Sequence, residues 1–241
     1  MAKKELMTAA ELLAKLNQNP EFVAREARRA REEASNVARF ESLAAPILQD
    51  LRALGVSPSS LDRLAHEYAP LSTDIVKVLL KWIPRIADDY LQESIIRSLG
   101  ATRARFDGKP LIEAFENSQS EGLRWAIANT IAEARPTGVV DWLIGVIQDQ
   151  DYRDARQMLL LALARLAPKQ IANDILSSVF DQFPGHAALA LAESGGPREL
   201  ALLRAKRSKY KGWIKKEIDK AVRSIAKRLI SIPYEASESI S

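Results

Sequence analysis

The chain has 241 residues, 47% of them hydrophobic, and a formal charge of +4 at pH 7. That length is enough for a sizeable buried core, and the composition favours helices. The absence of cysteine excludes disulfides, zinc–thiolate sites and thiol catalysis. No apolar run is long enough to span a membrane as a helix, and the first residues lack a signal-peptide core. We therefore expect a cytoplasmic protein with no membrane partner.

Two helices are predicted at the start of the chain. Thr8 and Glu11 have the spacing of a capping box, which predicts a short helix over about residues 8–17. Asn19 followed by Pro20 is typical of an N-cap and first helical position, so a second helix begins there. Pro46 is expected to end or kink that second helix.

The second helix is highly charged and has a weak apolar stripe, made mostly of alanine. Glutamate and arginine residues four positions apart predict surface ion pairs at Glu21–Arg25, Arg28–Glu32 and Arg29–Glu33. We expect this helix to lie packed along the first repeat with its charged face in solvent. The alternative is a coiled-coil partner site, which the alanine seam disfavours.

A stride of 32 residues dominates the middle of the chain. Apolar residues recur at this stride in two segments per unit, as in Leu79, Leu111, Leu143 and Ile175, and in Ile95, Ile127, Leu159 and Leu191. A fixed period with two helix-like segments per unit is typical of stacked helical hairpins. Subtracting one stride from Leu79 places the first unit at Ile47.

The breaks between apolar segments fall at Pro and Gly residues, which end helices. The stride and these breaks predict helix pairs at 73–83 with 89–101, 109–117 with 121–134, 138–148 with 152–166, 170–181 with 185–194, and 199–208 with 212–229. The predicted fold is an all-α solenoid of stacked antiparallel helix pairs. An N-terminal helical cap covers 1–44, about six pairs cover 45–230, and 231–241 forms a flexible tail.

Three features of the repeat carry a family resemblance. They are Pro110-Leu111-Ile112, the acidic turn at 149–151, and Arg156 followed by an apolar run, with Arg124 one stride before it. Over about 45–230 the chain resembles bacterial proteins with short HEAT-like repeats of the phycobilisome-lyase type. Gln92 departs from the pattern, which would have Arg there. The resemblance implies an architecture and no activity.

The chain offers little for catalysis. His66 and His186 lie in separate repeats without metal-ligand spacing, and no nucleophile elbow, phosphate loop or dinucleotide-binding turn is present. Acidic residues such as Asp88 and Asp149 sit where they favour a helix N-terminus. We therefore expect a non-enzymatic protein with no cofactor and no metal.

In HEAT-like proteins the second helix of each pair lines the concave side. Stepping along the positions opposite the core gives a concave strip of candidate partner-binding residues, namely Glu93, Arg97, Trp125, Asn129, Gln157 and Arg165. Trp125 is the leading candidate because the equivalent positions hold Glu and Gln, and tryptophan is enriched at interaction hot spots. The alternative is that Trp125 packs between helices as ordinary core.

The last helix pair is strongly basic. Between 198 and 229 there are twelve Lys and Arg residues against three acidic ones, while the rest of the chain is net acidic. This basic patch comprises Arg204, Lys206, Arg207, Lys209, Lys211, Lys215, Lys216, Lys220, Arg223 and Lys227. Basic residues with interleaved aromatic ones suit nucleic acid or an acidic partner. The alternative is a solvated polar cap on the last repeat.

Two functions compete at this point. The leading hypothesis is a scaffold that binds a protein or peptide partner through the concave strip, because its mixed charges do not track a phosphate backbone. The alternative is nucleic-acid binding through the basic patch, by fold analogy with HEAT-like alkyl-purine DNA glycosylases. No residue of the chain matches the catalytic groups of those enzymes.

Overall fold

A computed structural model describes residues 7–231, in which the regular structure is all-helical. The α-helices in this range are α1 Ala9–Asn17, α2 Pro20–Arg52, α3 Leu64–Tyr68, α4 Thr73–Trp82, α5 Asp89–Leu99, α6 Lys109–Asn117, α7 Glu121–Ala134, α8 Val140–Gln148, α9 Arg156–Leu166, α10 Lys169–Ser178, α11 Pro184–Ser194, α12 Pro197–Lys206 and α13 Gly212–Ile230. Apart from Ser231, the predicted tail lies outside the described residues. No helix of the described range is both long and apolar enough to cross a membrane.

The predicted N-terminal caps are confirmed. The Thr8 side chain accepts from the Glu11 amide and the Glu11 carboxylate accepts from the Thr8 amide, which closes a capping box on α1. Asn19 caps α2 by accepting from the amides of Glu21 and Phe22. Each cap satisfies backbone donors that a helix start leaves without an intrahelical partner.

Pro46 does not end α2, which continues to Arg52. The missing amide costs a helix about 3 kcal/mol. Ala44, Ile47 and Leu51 lie on either side of Pro46 and are at most 1% exposed. Burial of a side chain such as Ile47 or Leu51 contributes about 1.5–3 kcal/mol. Packing before and after Pro46 therefore offsets the lost hydrogen bond. The predicted division between residues 44 and 45 therefore falls inside a single helix.

The expectation that α2 packs along the first repeat is wrong for most of its length. Every residue from 27 to 39 is exposed, and the first buried residue of the helix is Ala44. Only the C-terminal part of α2 contacts α4 and α5, while α1 packs against its beginning. The alanine stripe buries too little apolar surface to draw the helix onto the body. We call residues 20–39 the arm.

The 32-residue stride reappears as a pattern of burial. Leu79, Leu111 and Leu143 are fully buried, and Ile175, the next in the series, is 7% exposed. In the second helices the series Ile95, Ile127, Leu159 and Leu191 is fully buried throughout. The helix pairs from α4 to α13 begin and end within a few residues of the predicted bounds. Apolar residues at the stride thus form one continuous core.

Contacts between neighbouring pairs run mainly through the second helices. α5 packs against α7, α7 against α9, α9 against α11, and α11 against α13. The first helices α4, α6, α8 and α10 have few close backbone contacts with each other. Small residues allow the close approach of the second helices, as at the fully buried Ala126, Ala162 and Ala190.

In three helix pairs, a side chain near the start of the second helix donates a hydrogen bond to the end of the first helix. Arg124 donates to the Phe115 carbonyl at 3.2 Å, and Arg156 donates to the Ile147 carbonyl at 3.1 Å. Gln92 donates to the carbonyl of Ile83, the equivalent residue, at 2.8 Å. These carbonyls lie in the last turn of a first helix or just after it, where no intrahelical donor is available. Gln92 therefore makes the same contact as the arginine that the repeat pattern would place there.

Arg156 is 2% exposed, and its guanidinium lies 5.0 Å from the ring centre of Phe183. We expect Arg156→Ala to lower the free energy of unfolding by about 2–3 kcal/mol, because buried carbonyls lose a charged donor. Arg156→Gln should lose less, since Gln92 makes the equivalent bond in its own repeat. Chemical denaturation followed by circular dichroism measures both, with the exposed Arg204→Ala as control. Equal losses for the Ala and Gln variants would show that glutamine cannot replace the arginine as donor to the Ile147 carbonyl.

Candidate partner-binding site

Three aromatic side chains from different repeats meet at one end of the second helices. The Trp125 and His186 rings pack edge to face with centres 5.9 Å apart, and His186 packs in the same way on Trp213 at 6.0 Å. Trp125 comes from α7, His186 from α11 and Trp213 from α13. We call these three residues the aromatic row. Trp213 is 57% exposed, so the row offers apolar surface to solvent.

A glycine permits the contact between α11 and α13. A Cβ built on Gly185 would lie 2.2 Å from the Trp213 ring, far inside van der Waals contact. Only glycine therefore lets this indole lie against the first turn of α11. Ile214 is half-buried, and Trp213 faces outward.

Three of the helices that begin at this end have starts open to negative charge, whereas α7, which carries Trp125, begins with a Ser120 cap and Glu121. α9, α11 and α13 each start without a side-chain cap and without an acidic residue in the first turn. Their amide groups give these ends the positive side of the helix dipole. Lys211 and Lys215 beside Trp213 add cations at the start of α13. The aromatic row thus lies beside uncapped helix starts, with cations at its Trp213 end.

The surroundings of His186 favour its neutral form. Burial between two indole rings lowers the pKa of His186 below its ordinary value of 6.5. A neutral imidazole can stack on apolar rings and still offer a nitrogen to a ligand. The sequence gives no signal for this cluster, because His186 and Trp213 are far from Trp125 along the chain.

The structure divides the six residues of the predicted strip into two groups. Glu93 and Arg97 form an ion pair at 2.6 Å within α5. Arg165 bridges three helices, bonding Glu133 of α7 at 2.5 Å and Glu193 of α11 at 2.7 Å. These three strip residues are thus already engaged in ion pairs.

The other three members of the strip have no such partner. Asn129 and Gln157 are half-buried and make no side-chain hydrogen bond within residues 7–231. Trp125 is half-buried as well. Its ring extends from α7 to contact His186 of α11 and does not pack into the core. Trp125, with its aromatic neighbours, is therefore the part of the strip that remains open to a ligand.

Part of the basic patch is neutralised internally. Lys206 bonds Asp181 at 2.5 Å, and Arg207 bonds Asp219 through two nitrogens. Lys220 bonds Glu217 at 2.7 Å. The other members have no carboxylate within salt-bridge distance in the part of the chain described, namely Arg204, Lys209, Lys211, Lys215, Lys216, Arg223 and Lys227.

Within residues 7–231 no group of three or more His, Asp or Glu side chains is arranged to hold a metal ion. Comparison with protein-family models, curated proteins and solved structures finds no match to this chain.

The pKa of His186 should depend on its cover by Trp213. Removing the indole in Trp213→Ala admits water to the imidazole, so we expect the pKa of His186 to rise toward its ordinary value of 6.5. A pH titration of the histidine ring signals by NMR measures this. His66 lies in a different repeat, and its signals serve as the reference. An unchanged His186 titration in the variant would show that Trp213 does not cover the ring.

The Glu133–Arg165–Glu193 cluster should stabilise the protein in a pH-dependent way. Hydrogen bonding to Arg165 holds the pKa of Glu193 below its ordinary value of 4.5. Its contribution is therefore present above pH 4.5 and is lost as the pH falls through the folded-state pKa. We expect Arg165→Met to cost about 1–2 kcal/mol at neutral pH, allowing for the exposure of both carboxylates.

Chemical denaturation at several pH values tests this expectation. The difference between wild type and Arg165→Met should shrink below pH 4.5. Arg103→Met, at an exposed position with no carboxylate within salt-bridge distance in the described chain, serves as the control. A difference that stays constant down to acid pH would assign the effect of the variant to packing.

Proposed function

We propose that this chain is a non-enzymatic HEAT-like solenoid that binds an acidic, extended segment of a protein partner across the aromatic row. The second helices pack closely in sequence while the first helices barely touch. Such unequal spacing supports a curved stack with the second helices on its inner side. In that arrangement Trp125, His186 and Trp213 lie on the concave surface.

The observation that carries the proposal is the aromatic row in its positive setting. Exposed tryptophan rings that bridge separate repeats are typical of binding hot spots. The uncapped starts of α9, α11 and α13 favour carboxylates over cations. An acidic segment with apolar side chains satisfies both features, because its apolar groups cover Trp213 while its carboxylates approach the helix ends.

Nucleic-acid binding through the basic patch is the second candidate. The row of exposed cations on α13 supports it, but three basic residues of the patch are already paired with Asp181, Asp219 and Glu217. Backbone recognition of nucleic acid depends on many unneutralised cations and is strongly weakened by salt. The two candidates therefore predict different responses to the removal of aromatic side chains.

We expect a peptide selected from a library rich in Asp, Glu and aromatic residues to bind and to quench tryptophan fluorescence. Trp213→Ala and Trp125→Ala should each weaken binding about 10-fold or more, as hot-spot truncations do. Gly185→Ala should weaken it too, because the added methyl displaces the Trp213 ring without removing it. Ile171→Ala, at an apolar site that is 44% exposed on α10, should bind as wild type.

A gel-shift with duplex DNA tests the nucleic-acid alternative. Binding to DNA at about 50 mM salt that is lost on reversing Lys216 and Lys220, together with no effect of Trp213→Ala, would replace the peptide proposal with the nucleic-acid one.

A further inference from the structure

The middle of the arm has no packing partner inside the described chain, although α1 packs against the beginning of α2 and Arg39 bonds Asp88. Residues 27–39 expose every side chain, including Val37 at 52%, and Leu43 beyond them is 42% exposed. Helical segments of this length are marginal in water unless an apolar face is packed against something. An arm held away from the body in this way presents a surface for another molecule.

A groove of about 740 Å³ separates the arm from the start of α5 and the turn before α3. Its apolar wall is Val37 together with Phe40 and Tyr90, whose rings pack edge to face at 5.2 Å. Tyr90 is 61% exposed. Two arginines, Arg29 and Arg39, line the groove against five carboxylates, which are Glu32, Glu33, Glu41, Asp62 and Asp88.

Most of these carboxylates are not neutralised. Asp88 bonds Arg39 at 2.9 Å, but the other four have no cation within salt-bridge distance in residues 7–231. None of the three ion pairs predicted for this helix, Glu21–Arg25, Arg28–Glu32 and Arg29–Glu33, is formed. The pair within the described arm joins the neighbours Arg25 and Glu26 at 3.7 Å. The groove therefore carries excess negative charge beside an apolar wall.

A smaller depression continues the groove along α5 and shares Asp62 and Tyr90 with it. Ser94 lines this depression, is 9% exposed, and its hydroxyl has no hydrogen-bond partner in the described chain. A buried polar group without a partner costs about 1–3 kcal/mol. An unsatisfied hydroxyl thus lies beneath this depression, beside the unneutralised carboxylates.

The opposite end of the same chain carries the complementary surface. Lys216, Lys220, Arg223 and Lys227 are exposed and follow each other at spacings of four, three and four residues, which places them in one stripe on the outer face of α13. The other face of α13 is buried through Ile218, Ala221 and Ile225. Lys220 alone of the four has a carboxylate, Glu217, within salt-bridge distance in the described range. Ile230, at the end of the helix, is 85% exposed.

We propose that copies of this chain associate head to tail, with the outer face of α13 of one copy docked in the groove between the arm and α5 of the next. The cationic stripe meets the carboxylates of the groove, and Ile230 adds apolar contact for the groove's aromatic wall. Because each copy owns both surfaces, the contact is heterologous and produces open chains or closed rings. The aromatic row is not part of this contact, so the inference is independent of the proposed function.

Sedimentation velocity on the full chain tests the contact. At about 50 mM salt the average mass should rise above the monomer mass of 26.8 kDa with increasing concentration, and at about 500 mM salt it should fall back, because screening weakens exposed charge pairs. A cation-reversed variant changes Lys216, Lys220, Arg223 and Lys227 to Glu. An acid-reversed variant changes Glu32, Glu33, Glu41 and Asp62 to Lys. Each should be monomeric alone.

An equimolar mixture of the two reversed variants gives the decisive result. The acidic α13 of one then faces the basic groove of the other, so we expect assembly to return in the mixture. A variant that had lost its fold would not be rescued in this way. A control that reverses Arg103, Arg105 and Lys169, all exposed outside both surfaces, should assemble as wild type.

Three outcomes would overturn the proposal. The first is a wild-type chain that stays monomeric at every concentration and salt. The second is a mixture of reversed variants that remains monomeric although wild type assembles. The third is a cation-reversed variant that still forms a dimer of twice 26.8 kDa, which would indicate symmetric pairing of the arms instead.

Discussion

Three consecutive helix pairs of this protein depend on a hydrogen bond from the second helix to the end of the first. Gln92, Arg124 and Arg156 begin consecutive second helices and donate to the carbonyls of Ile83, Phe115 and Ile147. A helix ends with carbonyls that lack intrahelical donors, and burying them unpaired is costly. In each of these three pairs one side chain therefore allows the first helix to end inside the core while the second helix packs back against it. At the last helix, Arg228 near the end of α13 donates to the Gly195 carbonyl after α11 at 2.8 Å, which joins two successive second helices.

Once the pairs are closed, the second helices are free to pack on one another through small residues. Their starts then gather at one end, which brings together side chains from α7, α11 and α13. The other end is tied by the Glu133–Arg165–Glu193 cluster. The two ends thus differ in chemistry. At the C-terminal ends of the second helices the charged groups pair with each other, whereas at their N-terminal ends aromatic surface is exposed beside uncapped helix starts. The proposed binding of an acidic segment follows from that difference.

Much of the helical layout could be predicted from the sequence because its causes are local. Helix caps at Thr8 and Asn19 and helix breaks at Pro and Gly act within one or two turns of the chain. The apolar stride repeats the same local pattern every 32 residues. Pro46 shows where local reasoning fails. Its helix continues because Ala44, Ile47 and Leu51 are buried against elements distant in sequence. The ion pairs expected within the arm also do not form, since exposed pairs four residues apart are worth only a few tenths of a kcal/mol.

The sequence by itself determined the all-helical class, the positions of the helix pairs and the residues at their core, since periodicity and caps act through neighbouring backbone. It also singled out Trp125 and the basic end of the chain. Only the tertiary structure decided which of these residues meet. The contact of Trp125 with His186 spans two repeats, and that of Trp213 with Gly185 depends on a close approach of α11 and α13. The exposure of the arm was likewise decided there, because whether a helix finds a packing partner depends on surface supplied by the rest of the fold.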